Sequence, residues 1–402
     1  MPLTTAQHSL LLRPRFSPAR IPGLQLWLDA SRSPLTMAAG MASQFTAANS
    51  EYLSIADNAS LSMSGTQSFT IGAWVYMDSL PAVAFVLQKG DGVSNSTYEY
   101  ALYYDNGTAR FIAVIGTGSG SHTVSASTFG APSTGTWYFV CVRHTQGVDI
   151  AISVNGGTLD TTGHTSGSQD TTNEFRIGRD GGAGGNYWNG RMQCVFIAKE
   201  ALTTAQITAA YNGGTPLSYN DFLSKVTPSA LQGYWELNEP SSTRKDLHGS
   251  NDLTDNNTVT TSAGTCLNAV GQINDLSGKG NHASQSTQAS KPVIRFAQNG
   301  IGGKAALRFD GTDDVLSVTD AAGIEITNGL TVFAVVDIAA TGADMRVLGK
   351  WHAAAGGREY LLDYLTGTSR FNFSVREAGD ANTRTATANT YGAPSANTPV
   401  VI

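Results

Sequence analysis

The run Phe69-Thr70-Ile71-Gly72-Ala73-Trp74-Val75 returns late in the chain as Leu330-Thr331-Val332-Phe333-Ala334-Val335-Val336. The match continues beyond that run. Val86-Leu87-Gln88-Lys89 returns as Val347-Leu348-Gly349-Lys350, Glu99-Tyr100 as Glu359-Tyr360, Arg110-Phe111 as Arg370-Phe371, and Phe129-Gly130-Ala131-Pro132-Ser133 as Tyr391-Gly392-Ala393-Pro394-Ser395. The spacing between partners stays nearly constant, which is what one fold used twice leaves in a sequence. Any architecture for this chain must therefore accommodate two related units.

Each unit reads as strands. From Ser68 to Tyr76, Phe69, Ile71, Ala73 and Val75 alternate with Thr70, Gly72 and Trp74. Period two is the signature of a half-buried strand. Further strands follow over 98–104, 110–115, 137–143 and 149–154, separated by Asp105-Asn106-Gly107 and Asn155-Gly156-Gly157, where Asn and Gly tolerate the positive φ of tight hairpins. One helix is expected over Leu202–Tyr211, with a threonine cap, glycine at its end, Leu202, Ile207 and Tyr211 on one face, and a place closing the sandwich edge. With 44 glycines among 402 residues and only 14% charged residues, the chain reads as an all-β sandwich or jelly roll rather than a disordered chain or coiled coil.

These residues resemble the laminin-G-like branch of the concanavalin A-like jelly rolls. The resemblance rests on Phe45–Leu53, the Phe69–Trp74 strand, Thr136-Trp137-Tyr138, the Asn155-Gly156 hairpin, Phe175-Arg176-Ile177-Gly178, Trp188-Asn189-Gly190-Arg191 and the 202–211 helix. In the second copy, 306–314 takes the part of Phe45–Leu53. The resemblance implies two concanavalin A-like (laminin-G-like) jelly-roll β-sandwiches. It also implies that each opens with a strand followed by an Asp-Leu-x-Gly turn. Leu24-Gln25-Leu26-Trp27 resembles Leu231-Gln232-Gly233-Tyr234-Trp235, yet Asp275-Leu276-Ser277-Gly278 lies far from Trp27 while Asp246-Leu247-His248-Gly249 follows Trp235 closely. The expected organisation is a basic arm at 1–20, an outer jelly roll built from 21–36 and 265–402, and an inner, circularly permuted one at 41–262. A plain tandem array is the alternative. The second copy stops where the first continues, so the polypeptide is expected to run beyond Ile402 or to be completed by another chain.

Little in the sequence points to catalysis. Glycoside hydrolysis needs two carboxylates flanking one bond. The nearest pairs, Glu99 with Asp105 and Glu236 with Glu239, do not give the alternating pattern such a site needs, and Glu236 and Glu239, three apart, would point to opposite faces of a strand; all read as structural acids. No Gly-x-Ser-x-Gly elbow stands between strand and helix, and Gly116–Gly120 lies between strands. The seven histidines show no ligand spacing and read as surface or loop residues, and Cys141 and Cys194 sit in apolar runs as free, buried thiols. The expectation is a protein that is not an enzyme.

Binding residues are easier to nominate. Tyr187, after a glycine-rich loop, and Tyr103 and Tyr104, beside a hairpin, are candidate glycan contacts; Trp188 is expected in the core. No cofactor is required, but Asp57, Asp91 and Asp180 are candidate calcium ligands, with Asp313-Asp314 a further loop pair. Arg13, Arg15 and Arg20 form an anchoring arm. A net charge of −6 excludes a nucleic-acid binder with a basic face. Leu10-Leu11-Leu12 is too short for a signal-peptide core, and no apolar stretch approaches the roughly 18 residues of a membrane span. The functional expectation is a structural or decoration protein of a particle surface, such as a phage virion, that also binds glycans. Its partners would be other virion or surface proteins and further copies of itself. The alternative is a carbohydrate-binding adhesion module of a bacterial surface protein. Either is placed on a virion or extracellular surface without a classical signal peptide.

Overall fold

The computed structural model of the chain describes residue 18 and residues 21–164, 166–239, 243–295, 301, 304–325, 329–351, 358–376, 383–390 and 392–402. Arg13, Arg15 and Arg20 lie outside the described residues.

Two antiparallel sheets face each other. The strands of the first region are β1 (Leu35–Phe45), β2 (Tyr52–Ile55), β3 (Phe69–Met77), β4 (Val83–Gly90), β5 (Tyr98–Asp105), β6 (Arg110–Gly116), β7 (Ser121–Ser125), β8 (Trp137–Thr145), β9 (Asp149–Val154), β10 (Asp160–Gly163), β11 (Phe175–Ile177) and β12 (Gly190–Ala198). After helices α1 (Thr204–Tyr211) and α2 (Tyr219–Lys225) come β13 (Leu231–Trp235), β14 (Thr254–Asn256) and β15 (Thr260–Ile273). The first sheet runs β10-β9-β8-β3-β12-β1-β15, with β13 beside the second half of β12, and the second runs β14-β2-β11-β4-β5-β6-β7. This is a jelly-roll β-sandwich of the concanavalin A-like kind. Its core is the set of inward residues that strand alternation selects: Phe69, Ile71, Ala73 and Val75 from β3, Tyr100, Leu102 and Tyr104 from β5, and Trp188, Phe175 and Trp235.

Alternation alone misjudges the outer face of β3. Trp74 is only 2% exposed and belongs to a second apolar cluster, with Phe139, Phe196, Ile207 and Phe222, on the far side of the sheet. Helix α1 covers that face, with Tyr211 stacked on Trp74 at 5.8 Å, rather than closing the sandwich edge. Gly72 leaves room there, since a Cβ at that position would meet the Phe196 ring at 2.2 Å. Thr203 caps α1 by accepting from the Gln206 N–H, and the left-handed residue that ends it is Asn212, ahead of Gly213. The Asn155-Gly156 turn has positive φ at both residues, as expected. In the 105–108 turn, Asp105 instead accepts from the Thr108 N–H at 2.9 Å, and the left-handed residue is Ala109.

The chain enters and leaves the sandwich through one ribbon, because β1 pairs with β15 from Leu35↔Ile273 to Gln44↔Thr260. Beyond it, the Trp27 N–H donates to Asp275 Oδ1 (2.9 Å), the Leu276 N–H to the Trp27 carbonyl (2.8 Å) and Asn281 Nδ2 to the Gln25 carbonyl (2.8 Å). The same bonds recur between Tyr234 and Asp246 (3.0 Å), Leu247 and Tyr234 (2.8 Å), and Asn251 and Gln232 (3.0 Å). Each Asp-Leu-x-Gly turn thus grips an extended Gln-containing segment, once locally and once across most of the chain.

The C-terminal region contains β16 (Ala283–Ser284), β17 (Val293–Arg295), β18 (Ala306–Arg308), β19 (Ser317–Val318), β20 (Val335–Val336), β21 (Met345–Trp351), β22 (Arg358–Leu365), β23 (Arg370–Val375), β24 (Arg384–Thr387) and β25 (Val400–Val401). Its pairings follow the repeat. Leu348↔Leu362 and Lys350↔Tyr360 parallel Leu87↔Leu102 and Lys89↔Tyr100, and bulges interrupt both ladders at matching places. Val335↔Val401 parallels Trp74↔Phe139. Even an ion-pair cluster recurs. Lys89 Nζ lies 2.8 Å from both Asp57 and Glu99, and Lys350 Nζ lies 2.8 Å from Asp320 and 2.9 Å from Glu359.

Candidate glycan-binding face

The outer face of the second sheet is set by the same parity as its core. Because Leu53, Leu102 and Tyr104 point inward, Tyr52, Ala101 and Tyr103 point outward. Phe85, Tyr98, Ala101, Ile112 and Val114 form an apolar floor there, with Val83 and Tyr103 packed against it. Phe85 stacks on Tyr103 at 4.9 Å and lies 5.7 Å from Tyr98. Two loops roof part of this floor. The Phe85 N–H donates to the Asn186 carbonyl (3.0 Å), tying the 180–187 loop down. Gly92 brings the 91–97 loop against it: a Cβ there would lie 2.1 Å from the Gly182 nitrogen, and φ is +74°.

At the other end of the face the Arg179 guanidinium sits 4.8 Å from the Tyr52 ring and 5.0 Å from the Tyr187 ring. It also donates to the carbonyls of Asp180 (2.7 Å) and Gly182 (3.0 Å). The arginine therefore fixes the loop and both aromatic planes together. All three side chains remain partly exposed. Tyr52 and Tyr103 lie on strands three steps apart in the sheet order, so the face spans about 14 Å at the usual strand spacing. Between them lie Arg176, which donates to Glu174 (2.6 Å), and Gln88, whose buried Nε2 has no partner.

The nominated residues divide. Tyr187 and Tyr103 both belong to this face. Tyr104 does not: it is fully buried in the sandwich core, with its hydroxyl on Asn106 (3.0 Å), because it points inward with Tyr100 and Leu102. Trp188 is in the core, as expected. Asp91 and Asp180 come together in the two roofing loops, and burial followed by Asp180, Tyr103 and Asp91 pushes the Tyr98 hydroxyl well above the usual tyrosine range. Their oxygens shape the loops. Asp91 accepts from the Val93 N–H (2.9 Å) and the Thr97 hydroxyl, and Asp180 from the Gly182 N–H (3.1 Å) and Asn186 Nδ2 (2.5 Å). Asp57 is elsewhere, held below the usual carboxylate range chiefly by the Lys89 ammonium. The three do not form one calcium site. Among the described residues, Asp310, Asp313 and Asp314 form a group of three acids whose oxygens lie within 4.8 Å of one another. Burial and Asp310 push the Asp314 carboxyl up to about 6, and these acids accept the backbone N–H groups of their own turn.

The other acids are occupied structurally. Glu99 is buried against Lys89 and Thr171, and Asp105 caps its turn. Glu236 accepts from Asn268 Nδ2 (2.6 Å) and Arg295 Nη1 (2.9 Å), while Glu239 accepts from the Lys245 N–H (3.2 Å). All three cysteines are free and buried. The expectation of surface or loop histidines fails for His144 and His164. His122, His144 and His164 gather on one edge of the sandwich, with ring centroids 4.1 Å apart for His122 and His164 and 4.7 Å for His144 and His164. His144 and His164 are fully buried, since the first-sheet edge at β10 folds against β7. Among the described residues, no helix is long and apolar enough to cross a membrane.

A laminin-G-type family model, described as the concanavalin A-like lectin/glucanases superfamily, matches residues 47–208. No curated protein matches the chain. Among solved structures, a putative carbohydrate binding protein from Bacteroides ovatus ATCC 8483 is similar at 19% identity and a TM-score of 0.39, over 58% of this chain and 61% of that one. A heptameric SAP-like pentraxin from Limulus polyphemus is similar at 16% identity and a TM-score of 0.33, over 46% and 84% of the two chains. The enzymatically active domain of tailspike protein 2 from bacteriophage CBA120 is similar at 16% identity and 0.35, over 51% and 32%. No functional residue is carried over from these structures.

Proposed function

We propose that the chain is a non-enzymatic, glycan-binding component of a surface assembly, with the outer face of the second sheet as its binding surface. The observation that carries this reading is the Tyr52–Arg179–Tyr187 stack at one end of a face that has Tyr103 at the other. Partly exposed aromatic planes, fixed in orientation and flanked by amide and guanidinium donors, suit the alternating apolar and hydroxyl surfaces of a sugar ring. A span of about 14 Å favours an oligosaccharide over a monosaccharide. A glycan array probed with the wild-type chain and with Tyr52→Ala/Tyr187→Ala tests it. The wild type should bind a defined oligosaccharide class, and the variant should lose at least tenfold in affinity, about 1.4 kcal/mol. Equal binding by both removes this face from the function.

The placement in an assembly, on a virion or another extracellular surface, is supported by the C-terminal region. Among the described residues it exposes Phe333 (70%), Val335 (58%), Val401 (73%) and Phe309 (49%), apolar side chains that a partner surface would cover. Light scattering of the purified chain should give a closed oligomer. A monomer at micromolar concentration would favour the adhesion-module reading. We also propose the nested order, with 41–262 inserted in a jelly roll built from 21–36 and 265–402. The recurring registers and the bonds from residues 25–27 to 275–281 support it. Residues 41–262 should then fold when expressed alone.

A further inference from the structure

We propose that His122, His144 and His164 form a binding site for a divalent transition-metal ion, with Zn²⁺ as the reference ion. The three imidazoles come from three places in the chain: β7 at the edge of the second sheet, the end of β8 in the first sheet, and the residue after β10. The two sheet edges are joined there by a bond from the Thr162 hydroxyl to the Thr123 carbonyl (3.1 Å), and the His164 N–H donates to the Val148 carbonyl (3.1 Å).

The chemistry of the nitrogens points to a ligand. His144 Nδ1 lies 3.1 Å from the Gln67 carbonyl, which can only accept, so Nδ1 carries the proton and Nε2 presents a bare lone pair. A ring held in its tautomer by a backbone carbonyl, with the other nitrogen free, is how metal-ligating histidines are usually oriented. That Nε2 is buried without a partner, and so are both ring nitrogens of His164. Three unsatisfied buried nitrogens in one cluster are rare in folded proteins, because each forfeits its hydration without a compensating bond. Asp149, paired with Arg143 at 3.2 Å, has a buried Oδ1 that is also unpaired, and its charge is felt at His144.

Neutral imidazoles select zinc, copper or nickel over calcium or magnesium. Zn–N distances of about 2.0–2.1 Å require the nitrogens to converge more closely than these tilted rings now hold them. Binding an ion therefore requires the His122 and His164 rings to turn toward His144. His122 stands on the partly exposed rim.

The test uses the full chain stripped with EDTA and titrated with ZnCl₂ against a chromogenic chelator, with CaCl₂ as the comparison ion. The expected result is one Zn²⁺ per chain, displaced by EDTA and not by calcium. The affinity should fall at least tenfold in His122→Ala, whose far-ultraviolet circular dichroism should match wild type. His164→Gln should lose the same site. If it fails to fold, the rim variant decides the question alone. Absence of saturable zinc binding, or equal affinity in wild type and His122→Ala, overturns the proposal.

Discussion

Replacing Lys89 by methionine removes the cation that faces the buried Glu99 carboxylate. Glu99 and Lys89 are both fully buried, and the Glu99 oxygens also accept from the Met63 and Thr171 N–H groups. Breaking a buried pair from one side costs about 3–5 kcal/mol, because the remaining charge is left uncompensated. The variant escapes part of that cost by protonating Glu99, whose carboxyl burial already raises above its ordinary value of 4.5 in spite of Lys89. The sign follows. A carboxyl held above its unfolded value stabilises the fold at low pH, and that contribution is lost as pH rises from 4.5. The penalty therefore grows as pH rises from 4.5, up to the roughly 3–5 kcal/mol of the broken pair. Urea unfolding followed by tryptophan fluorescence should therefore show Lys89→Met much less stable than wild type at pH 7 and close to it at pH 4.5. Adding Glu99→Gln should recover most of the loss at pH 7. The related Lys350 cluster is a control. Its lysine is 22% exposed and Asp320 is 73% exposed, so Lys350→Met should cost at most about 1 kcal/mol. An equal loss for Lys89→Met at both pH values, or no rescue by Glu99→Gln, refutes the reasoning.

Three further outcomes follow from the same geometry. Trp235→Ala should destabilise by about 3–5 kcal/mol in chemical denaturation, since the ring is fully buried, stacks on Phe175 at 5.8 Å and donates to the Asn251 carbonyl. Tyr103→Ala should weaken glycan binding in a titration while Tyr104→Phe leaves it unchanged, because only the former reaches the outer face. Glycan binding should survive EGTA, since Asp91 and Asp180 already spend their oxygens on loop N–H and amide groups; abolition by chelation would show that calcium organises these loops.

Much of the architecture was legible because parity and repetition are local signals. The Phe69–Val75 alternation picks out the inward side of β3, and the repeat runs forward into matching registers, bulges included. The same parity distinguishes Tyr103 from Tyr104 once Tyr100 and Leu102 are assigned to the core, and it turns Tyr52 outward from Leu53. Other features have no local signal. Trp74 looked solvent-facing because the helices that cover it lie far along the chain. Arg179 stands next to Asp180, and nothing in its neighbours shows that it will lie between two tyrosines. The histidines cluster only because β7 and β10 close against each other, which residue spacing does not encode.

The account stands or falls on where a glycan binds. Hydrogen–deuterium exchange of the full chain, with and without a saturating oligosaccharide identified on the array, measures that directly. The account predicts protection concentrated in 52–55, 91–105 and 176–187, the strands and loops that carry Tyr52, Tyr103, Arg179 and Tyr187. Protection confined to the helix-covered face of the first sheet, or to the C-terminal region, would contradict it.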